Sequence, residues 1–162
     1  MQAKDLTNTE LMGKQDPFVQ LELGDWSEST VTLNNAGGKA TWNNLNIQAE
    51  VNKDILKNNK LKLTVLDENF SRKDKVLGTG QFNVRLLTGP VMNSEKTFSV
   101  PLVNSSGAAA GTIVLTACLG PLVPSMALDG IPDTSINPKL EEAKLIISEC
   151  AAFNLIGGDG SF

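Results

Sequence analysis

Two short acidic loops hold the residues of this chain that could do chemistry. The stretch Gly13-Lys14-Gln15-Asp16-Pro17-Phe18-Val19-Gln20-Leu21-Glu22-Leu23 begins as a polar loop and ends as a strand. Proline disfavours helix at the residue before it, so Asp16-Pro17 closes the loop. Phe18, Val19, Leu21 and Leu23 then give an apolar strand interrupted by Gln20 and Glu22. One carboxylate is thereby held at the mouth of a strand, where a loop can offer it to an ion or a partner. The second acidic loop is Asp67-Glu68-Asn69, and Phe70-Ser71-Arg72-Lys73-Asp74-Lys75 directly after it sets an aromatic ring beside three cations. An apolar tip ringed by Lys and Arg suits an anionic lipid surface, where each cation contributes about 1 kcal/mol. A loop of this composition also reads as ordinary solvated surface.

Other chemistry is excluded by what the chain lacks. It contains no histidine, which removes histidine acid–base chemistry and histidine metal sites. It has no nucleophile elbow and no G-x-x-x-x-G-K-[ST] loop. Gly37-Gly38-Lys39 is too short to cradle a phosphate and reads as a turn, and the adjacent acids Asp67 and Glu68 are weak grounds for glycosidase work. No enzymatic activity is expected. A net charge of -4 argues against duplex nucleic acid as a partner, which calls for a basic stripe. Cys118 and Cys150 lack CxxC spacing and make no zinc site; the spacing leaves a disulfide open, and two reduced thiols in a reducing compartment is the preferred reading. No apolar run follows Met1, so no secretory signal is expected, and no apolar stretch is long enough to span a bilayer.

The elements that must position these loops read as short strands: Phe18–Leu23, Ser29–Leu33, Thr41–Val51, Leu61–Leu66, Val76–Leu86, Thr97–Val103 and Thr112–Leu119. Most are β-branched or alternating, and the breaks between them hold turn residues such as Gly24-Asp25 and Asn34-Asn35-Ala36-Gly37-Gly38. Leu61-Lys62-Leu63-Thr64-Val65 has period two, so one face is buried and the other wet. Seven such strands imply an all-β sandwich or barrel.

Composition changes at Gly120. Four of the seven prolines fall at 121, 124, 132 and 138, which reads as an irregular arm. Asn137-Pro138 looks like a helix start, with a side-chain cap followed by proline in the first turn, and Glu141 and Glu142 near the positive helix end. Leu140, Ala143, Ile147, Cys150 and Ala151 recur at helical spacing, which predicts one amphipathic helix ending near Gly157-Gly158. Residues 1–119 hold 12 basic and 12 acidic side chains, and residues 120–162 hold 2 and 6, so the acidity lies in the tail. The division expected is residues 1–119 as one domain and 120–162 as a Pro-rich arm and helix. That helix either docks back on the sandwich or is offered to a protein partner through those five residues.

Four pieces of the chain together resemble a C2 domain. Ala3-Lys4-Asp5-Leu6 resembles the A-x-D-L that opens the first top loop. Gly13-Lys14-Gln15-Asp16-Pro17-Phe18-Val19 resembles G-x-S-D-P-Y-V. Gly37-Gly38-Lys39-Ala40-Thr41-Trp42-Asn43 resembles N-P-x-W-N-E with its buried tryptophan. Val65-Leu66-Asp67-Glu68-Asn69 through Asp74-Lys75-Val76-Leu77-Gly78 resembles V-x-D-x-D…D-x-x-G. Each is weak alone; in register across residues 3–119 they are specific. The resemblance implies an antiparallel, eight-stranded Greek-key β-sandwich in the type II strand order, with seven strands evident. The first strand should precede Ala3, where only Met1 and Gln2 stand. The expectation is a shortened start, with a strand donated by a neighbour as the alternative.

The resemblance also implies functions. C2 domains commonly bind calcium through five acidic side chains of two top loops, and calcium wants six to eight oxygens. Position by position, the set becomes Glu10 and Asp16, then Asp67, Asn69 and Lys75, with Asp74 beside the lysine able to substitute for it. Asn69 has lost the charge and Lys75 inverts it. Two-ion binding is not expected; one weakly bound calcium ion at Glu10, Asp16, Asp67, Asn69 and Asp74 is the most this set allows. Asp16 and Asp67 also suit loop capping. Lipid contact is expected from Leu11, Met12, Phe70, Arg72, Lys73 and Lys75, independently of calcium. The strands after the first loop have no lysine and carry Glu22, which argues against the phosphoinositide mode of some family members. The reading is a non-enzymatic, cytoplasmic module, peripheral to membranes, that docks on anionic phospholipid with weak or no calcium dependence. The alternative is an assembly subunit that uses its C-terminal helix.

Overall fold

The computed structural model describes residues 14–70, 73–88, 94–121, 142–153 and 155. Among the described residues, nine strands occur in chain order: β1 (Pro17–Leu23), β2 (Trp26–Ser29), β3 (Ala40–Trp42), β4 (Ile47–Asn52), β5 (Leu61–Asp67), β6 (Lys75–Phe82), β7 (Lys96–Val103), β8 (Ala109–Pro121) and β9 (Glu142–Phe153). One short helix, α1 (Lys53–Asn58), follows β4, and a 3-10 turn spans Val84–Leu87. Every strand pairing is antiparallel.

The alternation seen in the sequence becomes two facing layers. In β1, Val19, Leu21 and Leu23 point inward, and Phe18, Gln20 and Glu22 lie half-buried on the other face. One layer runs β2-β1-β5-β6 and the other runs β7-β8-β9, with β3 and β4 sharing the far edge of β9. A single register pair, Thr79↔Val103, joins β6 to β7, and there the array turns from one layer to the other. Val19, Leu63, Val65 and Leu77 from the first layer and Ile113, Leu115, Leu145 and Ile147 from the second belong to one buried cluster. Trp42 is buried with it, and its indole N–H donates to the Val31 carbonyl at 2.8 Å, pinning β3 to the chain beyond β2. This is the all-β sandwich expected, in a C2-type arrangement.

Layer spacing demands a small residue on β6. A Cβ on Gly80 would lie 2.9 Å from the Pro101 carbonyl oxygen and 2.9 Å from Val100 Cγ1. Backbone cannot give way as a side-chain tip can, so any larger residue here pushes the layers apart.

Several expectations change: the strand expected over Ser29–Leu33 is β2, which ends at Ser29, and the run Val76–Leu86 is strand only to Phe82 before the 3-10 turn. The run Thr41–Val51 is two strands, because Asn44 takes a positive φ of 56° and breaks the ladder between Trp42 and Ile47. The larger correction concerns the tail. The amphipathic helix expected from Asn137 to Gly157 is not formed over 142–153, which is strand β9; residues 122–141 lie outside the described set. β9 lies between β8 and the β3–β4 edge, with Leu115↔Cys150 on one side and Ala49↔Leu145 on the other. Thus the slot that was expected to lack a first strand is filled from the same chain.

The reason the helix period misled is a β-bulge. Ala143, Leu145 and Ile147 alternate inward; the register then shifts between Thr116 and Ala117 of β8, so that Ser148 is extra; Cys150 and Ala152 resume the inward face. Two period-two runs joined by one inserted residue put inward apolar side chains at 143, 147 and 150, and with the outer-face Ala151 these also give helical spacing. A helix would satisfy its own backbone but leave β8 and the β3–β4 edge unpaired. Burying those edges without partners costs more than the helix gains. Leu145, at 1 % exposure, and the equally buried Ala152 are residues the helical stripe omits.

Leu145→Ala is therefore expected to lower the unfolding free energy by about 2–5 kcal/mol in urea titrations, whereas on the helical face it would be nearly neutral. Gly80→Ala is expected to cost roughly 1–3 kcal/mol in the same measurement.

Candidate functional site

The site is built at the end of the sandwich where β1 and β6 begin and β5 stops. Pairing of β1 with β5 places Pro17 opposite Asp67, and pairing of β5 with β6 places Asp67 opposite Lys75. The two acidic loops of the sequence therefore meet because three neighbouring strands share this end. The segment 34–38 closes it from the side: Gly37 N–H donates to the Gln15 carbonyl at 3.0 Å, and the Lys14 stem runs over Gly37 at 3.7 Å from where a Cβ would stand. The end of β9 reaches the same place, with Leu155 N–H donating to the Gly38 carbonyl at 3.3 Å.

Three acids of the site, Asp16, Asp67 and Asp74, are each engaged by a backbone amide. Asp67 is buried, and its Oδ1 accepts the Asp16 N–H at 2.7 Å, tying the start of β1 to the end of β5. Glu68 N–H returns the link to the Asp16 carbonyl at 3.0 Å. Asp16 Oδ1 accepts the N–H of Asn35, a turn residue with a φ of 56°. Asp74 Oδ1 accepts the Asn69 N–H at 3.0 Å, and the Asn69 side-chain amide donates to the Asp67 carbonyl at 3.2 Å. Charged acceptors make the stronger hydrogen bonds, so these carboxylates act as staples of the loops. Beyond the Asn69–Asp74 bridge, Phe70 is 97 % exposed, and Lys73 and Lys75 are exposed on the returning limb.

The calcium set can be tested against this geometry. Asp16, Asp67 and Asp74 each spend one oxygen on an amide, and Asn69 spends its amide nitrogen on Asp67. Among the described residues, no three His, Cys, Asp or Glu side chains come together as a metal-holding group. The donors described do not form the converging oxygen cage that calcium requires. Glu10 lies outside the described residues, as do Leu11, Met12, Arg72 and Leu140. Of the expected lipid-contact residues, Phe70, Lys73 and Lys75 are thus brought to one end. Of the expected partner-contact residues, Ala143, Ile147 and Cys150 are buried in the chain's own core and Ala151 is half-buried on the outer face of β9.

The thiols offer no nucleophile. Both cysteines are free and buried; burial pushes the Cys150 thiol up to about 12, and burial together with the Glu95 charge raises Cys118. Of the basic residues around α1, Lys62 is committed to Glu22, with Nζ 2.7 Å from Oε2. Sequence reasoning missed the role of Asn35 and Gly37: Asn34-Asn35-Ala36-Gly37-Gly38 was legible as a turn, but nothing in it says that its amides would hold Asp16 and Gln15.

The family model for the C2 domain matches residues 1–102 of the chain. No curated protein matches it. Domains of this family are typically membrane or protein-interaction modules, generally non-catalytic, and often bind calcium. Among the described residues, no helix is long and apolar enough to cross a membrane.

If Asp67 staples the loops, Asp67→Ala should cost about 1–3 kcal/mol of stability in chelator, and Asp67→Asn, which keeps the acceptor, should retain most of it. An Asp67 that serves only an ion would leave both variants as stable as the parent when calcium is removed.

Proposed function

We propose that this chain, which belongs to the C2 domain family, docks on anionic phospholipid through the end of the sandwich that carries Phe70, and that it does so without needing calcium. The observation that carries the reading is Phe70 itself. Phe70 is 97 % exposed, and in sequence it stands between Asn69, whose N–H donates to Asp74, and the exposed residues Lys73 and Lys75, so an aromatic ring and cations share one loop. A bilayer interface accepts an aromatic ring with cations at headgroup level. By sequence, Arg72, Leu11 and Met12 belong to the same contact.

The calcium-independent part of the reading follows from how the carboxylates are used. In a calcium-dependent module the ions neutralise the acidic loops and bridge them to lipid. Here backbone amides engage Asp16, Asp67 and Asp74. One weakly held ion at this end is the most the donors support. The module is read as non-enzymatic, cytoplasmic and peripheral to membranes. The alternative of an assembly subunit rested on a helical stripe whose apolar members now lie mainly inside the sandwich.

Co-sedimentation with phosphatidylserine vesicles, in calcium and in chelator, tests the reading. Binding is expected in both and should weaken with salt. Lys73→Glu reverses a cation worth about 1 kcal/mol at the surface and should lower partitioning roughly ten- to thirtyfold. Phe70→Ala should lower it by roughly tenfold. Binding that both variants leave unchanged refutes the loop assignment. Binding in calcium alone makes the ion part of the mechanism, and no binding in either condition moves the function to a protein partner.

A further inference from the structure

The outer face of the first layer changes character next to the end that carries Phe70. Register pairs set Phe18 beside Leu66, and Leu66 beside Val76, on β1, β5 and β6. At the edge of the layer the Thr30 N–H donates to the Val19 carbonyl at 2.9 Å, which brings Val31 next to Phe18. Val31, Phe18, Leu66 and Val76 therefore make one apolar row across four neighbouring segments. Adjacent strands lie about 4.8 Å apart, so the row is roughly 15 Å wide. Phe18 and Leu66 are half-buried, whereas Val31 is 70 % and Val76 46 % exposed. The next row away from the end is polar and neutral, formed by Ser29, Gln20, Thr64 and Thr79. Glu22, one row further, is paired with Lys62.

The apolar row is continuous with the loop above it. Leu66 and Val76 stand at the two feet of the loop that carries Phe70, and Lys73 and Lys75 lie on its returning limb. Among the described residues five large apolar side chains are exposed, and three of them, Val31, Phe70 and Val76, belong to this end. Exposed apolar surface gathered in one patch marks a contact.

We propose that the chain lies on an anionic bilayer tilted onto the outer face of its first layer, with the row Val31, Phe18, Leu66 and Val76 as a second apolar contact beside Phe70. This rests on the docking reading above and adds an orientation to it. A chain standing upright on the loop inserts one ring and leaves the row in water. Tilting toward β1, β5 and β6 carries Val31 and Val76 to the headgroup level together with Lys73 and Lys75. The two rows nearest the end bring no acid to the anionic surface. Tilting the other way presents β7, β8 and β9, where the exposed Glu149 stands beside Thr116. Charge and apolar exposure thus select the same face.

An environment-sensitive fluorophore on single introduced cysteines tests the orientation. The positions are Phe70→Cys, Val31→Cys, Val76→Cys and, on the outer face of the second layer, Ser99→Cys. Cys118 and Cys150 are buried and leave the label to the introduced thiol in the folded full-length chain. Each labelled chain is mixed in chelator with phosphatidylserine vesicles that contain a nitroxide-labelled lipid as quencher. Quenching is expected at 70, 31 and 76, and none at 99. Quenching at 70 without quenching at 31 and 76 overturns the tilt and leaves docking by the loop intact. No quenching at any position overturns the tilt and the docking reading together. Quenching at 99 in place of 31 and 76 assigns the contact to the wrong layer and also overturns it. A second measurement needs no label. The double variant Val31→Gln, Val76→Gln keeps the net charge and should lower partitioning roughly tenfold at an unchanged Tm. Partitioning equal to that of the parent overturns the proposal.

Discussion

The constraint on which the rest of this structure depends is the backbone hydrogen bonding of one interior slot. β8 and the β3–β4 edge each present a row of amides and carbonyls facing inward along the sheet, and β9 satisfies both rows at once. Without it the layer would be split, and Ile113, Leu115, Ala49 and Val51 would lose the neighbours that bury them. An interior strand is worth more to a sheet than an edge strand because it answers unpaired groups on two sides and packs one face on the core. The tail of the chain is thus part of the framework that holds the loops.

The loop end shows how acidic residues can be structural and still shape function. Asp67 sits buried at the end of β5 and accepts the amide of Asp16; Asp74 accepts the amide of Asn69; Asp16 accepts the amide of Asn35. Each bond ties one loop to another or closes a loop on itself. The loop that carries Phe70 leaves a base stapled by Asn69, Asp67 and Asp74, and the ring itself is exposed. Carboxylates in this use already have one oxygen engaged by an amide, and the proposal of a calcium-independent contact starts from that engagement. β9 and the loop end are also physically joined, since Leu155, just beyond β9, donates its N–H to the Gly38 carbonyl at that end.

Much of this was legible in the residues themselves. Strands β1 and β5 follow from period-two alternation in Phe18–Leu23 and Leu61–Leu66. The turn at Asn34–Gly38 follows from its residue types, and the adjacency of Asp16 and Asp67 follows from the resemblance of their flanking motifs to one family. The break inside Thr41–Val51 was not legible, because it rests on one asparagine taking a positive φ that asparagine permits but does not demand. The tail misleads because the inward face of a bulged strand and the stripe of an amphipathic helix share positions 143, 147 and 150. Leu145 and Ala152 were the residues that told them apart.

What the sequence by itself determined was local: which segments alternate, where the chain turns, which loops carry acid, cation and aromatic, and which chemistries are absent with histidine. Tertiary structure alone decided which element fills the slot between β8 and β4, and whether the acids face an ion or an amide. The physical reason is the same in both cases. A strand's stability lies in partners far away in sequence, and a carboxylate's role lies in which donors the fold brings to it; neither is a property of the residues that carry them.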